Sequence, residues 1–390
     1  MENIKRVQLS EIAELITKGT TPTTLGYEFQ DEGVNFLKIE CFDEIGNYLP
    51  DKAAHISEEC NEKLKRSQLK RGDVLFSIAG AIGRVGIVTE EMLPANTNQA
   101  LAIIRINRDD VYLPYIKLIL TSPIVKKQFE RKKQGVAQLN LSLKDINELS
   151  IPLPDKEKQI EYANLFAKIN IIMDQRNKEL ESLDELIKAR FVEMFGEGLK
   201  DDGKFEVRFI SEIGKVVSGA TPKTAVEEYW DGANPWITPA ELSDESFILY
   251  DSERKITDRG AKSCAVNLLP IGTVLLSSRA PIGKVAIAGT EMYCNQGFKN
   301  IIPNDMINSI YLYELLKMET AYLNSLGRGA TFKEISKQIV ENIRIKVPPI
   351  ELQEQFAEFA KQVDKSKVAV QKALDEAQLL FDSLMQEYFG

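Results

Sequence analysis

Residues 72–88 read GDVLFSIAGAIGRVGIV, with Gly80, Gly83 and Gly86 three apart behind an apolar run. Glycines after a strand suit a phosphate cradle, because bare backbone N–H groups can close round an anion. They equally suit a strand–turn–strand, which needs only the glycine at its turn. Other reactive residues are few. His55 is the single histidine. A Ser-His-Asp relay would have to use it, although DKAAHISEE reads more simply as an exposed loop. Cys41, Cys60, Cys264 and Cys294 form no CxxC pair. That spacing fits neither a usual zinc site nor a disulfide framework. No GxxxxGK[ST] loop occurs. Pro154-Asp155 could open a nuclease-like carboxylate set, but no Glu-x-Lys follows at a workable distance; a strand end followed by a helix cap is the better reading.

Binding is therefore the better expectation, and the elements must say binding of what. The chain has 390 residues, enough for about two or three domains. With 44% hydrophobic and 27% charged residues it is globular in composition. Its first residues lack the long apolar core of a signal peptide, and no apolar run nears the roughly 20 residues of a membrane span. A cytoplasmic protein is expected. The net charge of −9 is spread unevenly: −1 over 1–154, −2 over 155–200, −2 over 201–346 and −4 over 347–390. The two large segments are near neutral, so each can still present a basic face to nucleic acid.

The chain repeats itself. GDVLFSIAGAIGRVGIV aligns without a gap on GTVLLSSRAPIGKVAIA (272–288), with eight of 17 positions identical; chance would give about one. LSEIAELITKGTTPT (9–23) answers ISEIGKVVSGATPK (210–223), NFLKIE answers PWITPAE, and Asn98-Gln99 answers Asn295-Gln296. Helical stretches near Tyr112 and Tyr311 and glycine turns at Gly135 and Gly327 follow. IPLPDKEKQI (151–160) then matches VPPIELQEQF (347–356), and EMFG (193–196) matches EYFG (387–390). In the hairpin Gly80 and Gly86 become Ala280 and Ala286, and only Gly83 survives, as Gly283. A phosphate cradle would keep its glycines in each copy that used it, so a hairpin is the better expectation.

Each unit closes on a helix. Residues 156–195 and 351–388 contain no proline or interior glycine. One carries Phe166, Ile169, Met173, Arg176, Leu180, Leu183, Ile187, Arg190 and Met194 at alternating spacings of three and four. The other carries Phe356, Phe359, Val363, Ser366, Val370, Ala373, Ala377, Leu380 and Leu384 in the same way. That is a heptad seam over about four heptads, on helices roughly 60 Å long. Helices that pair within one chain of this order must run antiparallel; packing of each on its own domain is the alternative. Off the seam, Ile171, Leu186, Phe191, Leu379 and Phe381 leave apolar surface for a partner. The expected fold is α/β (α+β): two pseudo-symmetric mixed domains, 1–154 and 197–346, separated by an antiparallel coiled coil of helices 155–196 and 347–390. GEGLKDDGK (196–204) is the linker between units.

Two related domains held apart by a helical ruler suit two separated features of one long ligand, as when modules read half-sites about one DNA turn, ~34 Å, apart. The ordered set of motifs (GTTP/GATP, PWIT, the paired hairpins, NQA/NQG, IPLP and VPP before Gln-rich helix starts) resembles the specificity subunit of type I restriction-modification systems, over essentially the whole chain. The resemblance implies two target recognition domains, each reading half of an asymmetric bipartite sequence in double-stranded DNA. It implies that the helices set the spacer and that the chain is not catalytic. The partners would be two modification subunits, methylating adenine with S-adenosylmethionine, and restriction subunits using ATP and magnesium; no cofactor is expected in this chain. Relatives use a terminal extension to close the structure, and a chain stopping at Gly390 is expected to have a short one or none. Consistent with a lack of methyltransferase chemistry, the only Pro-Pro lies in Val347-Pro348-Pro349-Ile350, with the wrong flanks for an adenine methyltransferase tetrapeptide. Phe195-Gly196-Glu197-Gly198 resembles a methyl-donor loop but sits where a helix should end.

Bases are read at their edges, while phosphate contacts position the protein. Lys18, Thr20 and Thr21, with Thr221 and Lys223, are contact candidates from the Gly-Thr loops; threonines bonding their own backbone are the alternative. Lys38 and Thr238 follow matched strands, and Ser77 and Ser277 end the first hairpin strands. Arg84 and Lys284 match after Ile-Gly and suit a phosphate, or a solvated strand charge. Arg279 stands opposite Ala79 and suits a base reader, or a loop salt bridge. Asn98, Gln99, Asn295 and Gln296 could pair with adenine or close a turn. The run KKQFERKK (126–133) suits phosphate attraction, or a solvated helix face. A coiled-coil scaffold with two protein-binding domains is the competing function; a stand-alone enzyme is the remoter one.

Overall fold

A computed structural model describes residues 5–130, 140–242, 247–327 and 333–389. The chain divides into two units, Met1–Asn177 with Lys372–Gly390, and Lys178–Gln371.

In the first unit, strands Leu15–Lys18, Leu101–Arg105, Val74–Ser77 and Val85–Ile87 form an antiparallel sheet in that order. Strand Val74–Ser77 is buried on both faces. Its alternation sends Val74 and Phe76 into one apolar cluster, with Tyr115 and Ile116, and Leu75 into another, with Phe42 and Met92. A second sheet orders Ala54–Ile56, Val34–Leu37 and Ala95–Thr97, the last pair parallel. Arg6–Gln8 pairs with Ser150–Pro152 and closes the domain beside the start of the long helix.

The second unit repeats this plan. Its main sheet runs Gly214–Ser218, Lys299–Pro303, Val274–Leu276, Val285–Ala288 and Ile248–Leu249, the extra edge strand pairing in parallel. Lys255–Ile256, Trp230–Ile237 and Tyr293–Cys294 form the small sheet, and Glu206–Phe209 closes on Arg344–Val347. Both hairpins are strand–turn–strand, with Gly83 and Gly283 each at φ 89° in the turn. Gly86 lies against Phe42, whose ring an added Cβ would meet at 2.4 Å. In the copy, Ala286 and the smaller Leu242 share a cluster, so the volume is exchanged rather than lost.

The long helices are Lys156–Phe195 and Ile350–Phe389. Each is clamped by a fully buried glutamine. Gln159 donates to Pro154 O (2.8 Å) and Asp110 O (3.0 Å) and accepts from Tyr112 N (2.9 Å). Gln353 donates to Pro348 O (2.7 Å) and Met306 O (3.1 Å) and accepts from Asn308 N (2.8 Å). These pairs put Gln159 opposite Gln353 and Phe195 opposite Phe389. The alignment at the helix starts, expected to pair Gln159 with Gln355, therefore shifts by two residues.

Within the first unit the helices run antiparallel: Tyr162 stacks on Tyr388 (4.7 Å between centroids), and Phe166 meets Phe381 (5.1 Å). Within the second, Phe191 and Phe195 meet Phe356 (5.3 and 5.6 Å), and Lys367 reaches Asp184 at 2.8 Å. Three expectations change. Phe191 is fully buried among rings rather than free for a partner. Phe381 packs on Phe166, whereas Leu380, expected on the seam, is 51% exposed. The swap follows from a helix of 3.6 residues per turn, whose apolar stripe drifts off a strict heptad. His55 sits in strand Ala54–Ile56, half-buried, not in an exposed loop.

Candidate nucleic-acid interface

Each unit brings its Gly-Thr loop and its Asn-Gln turn together. Gly19 N donates to Asn98 O (3.1 Å), and Ala220 N donates to Cys294 O (3.0 Å). The glycine is obligatory in both loops. A Cβ at Gly19 would lie 1.8 Å from Thr97 O, and one at Gly219 would lie 2.1 Å from Asn295 O. Thr21 donates its hydroxyl and its N–H (3.1 Å) to Gln99 Oε1. Thr221 donates its hydroxyl to Gln296 Oε1 at 2.5 Å. Asn98 Oδ1 accepts from Ala100 N (3.0 Å), and Asn295 Oδ1 accepts from Gly297 N (2.8 Å). The asparagines close turns, and the threonine–glutamine bridges fasten one loop to the other.

The hairpin ends beside the same turn. Ile78 N donates to Ala100 O (2.8 Å), and Ser278 N donates to Gly297 O (2.7 Å). The parallel strand pair ends there too, where Thr97 donates its hydroxyl to Leu37 O at 2.7 Å, just before Lys38. Lys18, Thr20, Thr21, Lys38, Asn98 and Gln99 thus share one rim of the first unit. Thr221, Lys223, Thr238, Asn295 and Gln296 share the corresponding rim of the second. Lys18, Thr20, Gln99, Lys223 and Gln296 are exposed.

Several candidates are spoken for by other contacts. Ser77 and Ser277 are fully buried. Ser77 donates to Ala79 O (2.9 Å), and Ser277 donates to Pro281 O (2.7 Å). Both brace the hairpin from inside and leave the list of contact residues. Arg84 donates to Phe42 O (3.2 Å), and Lys284 donates to Leu242 O (2.7 Å). These matched cations tie the hairpin to the backbone just past the short helical turns Ile39–Cys41 and Pro239–Glu241, which explains a base in both copies without a phosphate. Gln99 Oε1 already accepts two hydrogen bonds, so a bidentate pair with adenine is closed to it while its amide N–H groups remain for donation. Thr238 donates to Glu241 Oε1 (2.9 Å) in a capping box.

Arg279 is half-exposed and pairs with Glu334 (3.1 Å), which also binds the nearly buried Lys299 (3.2 Å). Burial pushes the Glu334 carboxyl up, but Lys299 and Arg279 outweigh it and hold the group below the usual carboxylate range. Burial raises the Cys294 thiol to about 12, against a 3.0 Å hydrogen bond from Asn300, so it packs as a small inert side chain. Of the basic run, Lys126 and Lys127 are exposed on helix Pro123–Glu130; residues 131–133, like Gly135, lie outside the described residues.

One rim residue escaped sequence reasoning. Arg254 lies with its guanidinium 3.7 Å from the Trp230 ring centroid and 5.6 Å from that of Trp236. Its counterpart in role is Lys38, 4.5 Å from the Phe29 ring. The repeat hides this relation, because Lys38 aligns with Thr238 and the second cation arrives from the bend just before strand Lys255–Ile256.

The fold and the two rims define a duplicated binding module in which each α/β domain is paired with half of a long helix pair. The chain belongs to the family described as the type I restriction modification DNA specificity domain, which matches residues 1–182 and 202–377. The match falls once in each unit, so the chain carries this specificity domain twice. It is 42% identical over 179 residues to the MjaIX specificity subunit of Methanocaldococcus jannaschii, covering 44% of this chain and 41% of that one. It is 25% identical over 401 residues to the putative MjaX specificity subunit of the same organism, covering 94% and 89%. The chain therefore spans under half of the MjaIX subunit and most of the MjaX one. In fold it is similar to a chain from a structure of type I R-M complex assembly and conformational transition (TM-score 0.63, 19% identity, 99% and 97% covered). It is similar also to the type I S subunit of M. genitalium (TM-score 0.60, 15% identity, 100% and 97% covered). No helix among the described residues is long and apolar enough to cross a membrane.

Proposed function

We propose that the chain is the sequence-reading subunit of a cytoplasmic type I restriction-modification complex. Residues 1–154 and 197–346 act as target recognition domains, and 155–196 and 347–390 as spacer helices. Each domain reads one half of an asymmetric bipartite site in double-stranded DNA through its rim, and helix length sets the number of unread base pairs. Methylation of adenine with S-adenosylmethionine, and ATP- and magnesium-dependent translocation and cleavage, belong to partner subunits. The observation that carries this reading is the rim built twice on identical scaffolding: glycine against carbonyl, threonine against glutamine. Different side chains decorate it each time, Ala79 against Arg279 and Lys38 against Thr238. A reader of one repeated sequence would keep the decorations alike; a reader of two different half-sites would not.

The helices leave apolar surface for modification subunits: Ile171 (56% exposed), Ile172, Leu379 (71%) and Leu380 in the first unit, and Leu186 and Val368 in the second. Sequencing methylated genomic DNA from a host carrying the system should return a split, non-palindromic adenine motif. A continuous or palindromic motif would overturn the reading. Deleting seven residues inside the first long helix should shorten the gap and keep both half-sites. Exchanging 1–154 for another such domain should change one half-site only. A protein-binding scaffold would show no sequence preference in either experiment.

A further inference from the structure

We infer that Arg254, held on Trp230, is a DNA phosphate contact of the second unit, doing there what Lys38 on Phe29 does in the first; this rests on the reading of the chain as a DNA-binding specificity subunit.

Both units contain the same aromatic device beside the Gly-Thr loop. Phe29 and Phe36 meet edge to face at 5.4 Å, and Trp230 and Trp236 do so at 5.0 Å. Each pair carries one cation on the face of its outer ring. In the second unit the device is bolted to the loop. Trp236 Nε1 donates to Ala220 O (3.0 Å), and Trp230 Nε1 donates to Lys223 O (3.3 Å). The Arg254 backbone is fixed as well, since its carbonyl accepts from Trp236 N (3.0 Å) and from the Ser252 hydroxyl (2.6 Å). Main chain and guanidinium are thus both set relative to Thr221 and Lys223.

The means of holding matters. Three other cations of the unit are neutralised, Lys255 by Asp251 (2.9 Å), Arg259 by Glu228 and Arg279 by Glu334, while exposed Lys223 is unpaired among the described residues but lies on no ring. Arg254 is exposed, follows Glu253 in sequence, and pairs with no carboxylate among the described residues. An indole face orients a guanidinium through its quadrupole without cancelling its charge, and leaves the in-plane N–H groups free. A positioned, unneutralised fork of donors is what a phosphate oxygen accepts. The two rims keep the Thr–Gln bridge and the asparagine turn but differ at Lys18, Thr20 and Lys38, against Ser218, Ala220 and Thr238, yet both keep a ring-held cation, supplied from different segments. A contact that reads sequence would vary with the half-site. A contact to the backbone common to all DNA would not.

The test uses the full complex with its modification subunit, on a duplex bearing the bipartite motif and on a scrambled duplex of equal length, across a salt series. Arg254→Ala should weaken binding to both duplexes by about tenfold and lower the slope of log affinity against log salt by about one. The methylated motif should be unchanged, and Arg254→Lys should keep the slope. Lys38→Ala should behave alike. Wild-type affinity and slope in Arg254→Ala would overturn the inference. So would a relaxed second half-site with an unchanged slope, which would make Arg254 a base reader. If the wild-type complex shows no preference between the duplexes, the DNA-reading function fails and takes this inference with it.

Discussion

The two units share a scaffold and differ in charge at matched places. Where the first has Ala79, Ala102, Asn140 and Leu118, the second has Arg279, Lys299, Glu334 and Glu314. The first three changes make one network, with Glu334 between Arg279 and Lys299. The fourth buries a carboxyl among Asp184, Lys317, Asp364 and Lys367, where its counterpart Leu118 packs in the core. What stays constant is backbone chemistry: the glycine against a carbonyl, the serine inside the hairpin, the glutamine at the helix start. Divergence has therefore spared these backbone-anchoring residues while reaching into the core, at Leu118 and Ala102 as well as at the surface. One rim has no ion pair at Ala79, and the other is braced there by Arg279, Glu334 and Lys299.

If the scaffold is shared, the same lesion should hurt both units equally. Gly19→Ala and Gly219→Ala each force a Cβ to within 1.8 and 2.1 Å of a backbone oxygen that no side-chain rotation can move. Each should cost its unit ~3 kcal/mol and abolish recognition of one half-site while sparing the other. Melting curves and methylation of half-site-substituted duplexes check this. A variant that melts normally and reads normally would break the equivalence of the two rims.

Glu314 offers the sharpest contrast in pH. Burial raises its carboxyl to about 7, with Lys317 opposing and Asp184 reinforcing. The folded state holds this proton more tightly than the unfolded state does. Its stability contribution is thus full below the unfolded value near 4.5, and falls as pH rises through about 7. Glu314→Gln should accordingly gain on the wild type between those values and keep a lead of about 2–3 kcal/mol above them. The first unit, with Leu118 there, should show no such slope. Thermal melts of both proteins from acid to mildly alkaline pH decide it, and parallel curves would refute a buried charge.

The glycines, the repeat and the long helices were legible because each is a local rule: a turn needs φ above zero, and a buried helix face needs apolar residues every three or four positions. Ser77 looked like a surface polar residue because a hydroxyl satisfied by a carbonyl two residues away leaves no trace in sequence. Phe191 looked free because the seam was counted in heptads, whereas the helix turns in 3.6 residues. Arg254 was invisible for a different reason. Aligning two copies finds functions kept at one position, and this cation comes from another segment while still resting on a ring. The Thr–Gln bridges fall between: both partners were singled out, but only the fold showed them bonded to each other.

The Arg279 network should yield a moderate effect that separates bracing from reading. Glu334→Gln leaves the nearly buried Lys299 ammonium without a carboxylate, which should cost the second unit about 1–2 kcal/mol. The exposed arm to Arg279 adds little. Arg279→Ala should then barely shift the melting temperature. If Arg279 reads a base, the methylated motif should relax at one position of the second half-site. An unchanged motif would make the whole network structural.

The smallest effect should come from the pair that first looked most like phosphate contacts. Arg84 and Lys284 spend their donors on Phe42 O and Leu242 O, inside their own domains. Replacing either by methionine keeps much of the aliphatic stem and removes one hydrogen bond, so each unit should lose ~1 kcal/mol. DNA affinity should hold, and so should its salt slope, because no counterion-releasing contact has gone. Measured beside Arg254→Ala, these variants form the internal control: two cations matched in sequence that leave the slope alone, and one unmatched cation that lowers it. A slope that falls by one in Arg84→Met or Lys284→Met would mean that the carbonyl contact gives way to phosphate when DNA binds, and that the cation count of the rim extends to the base of the hairpin.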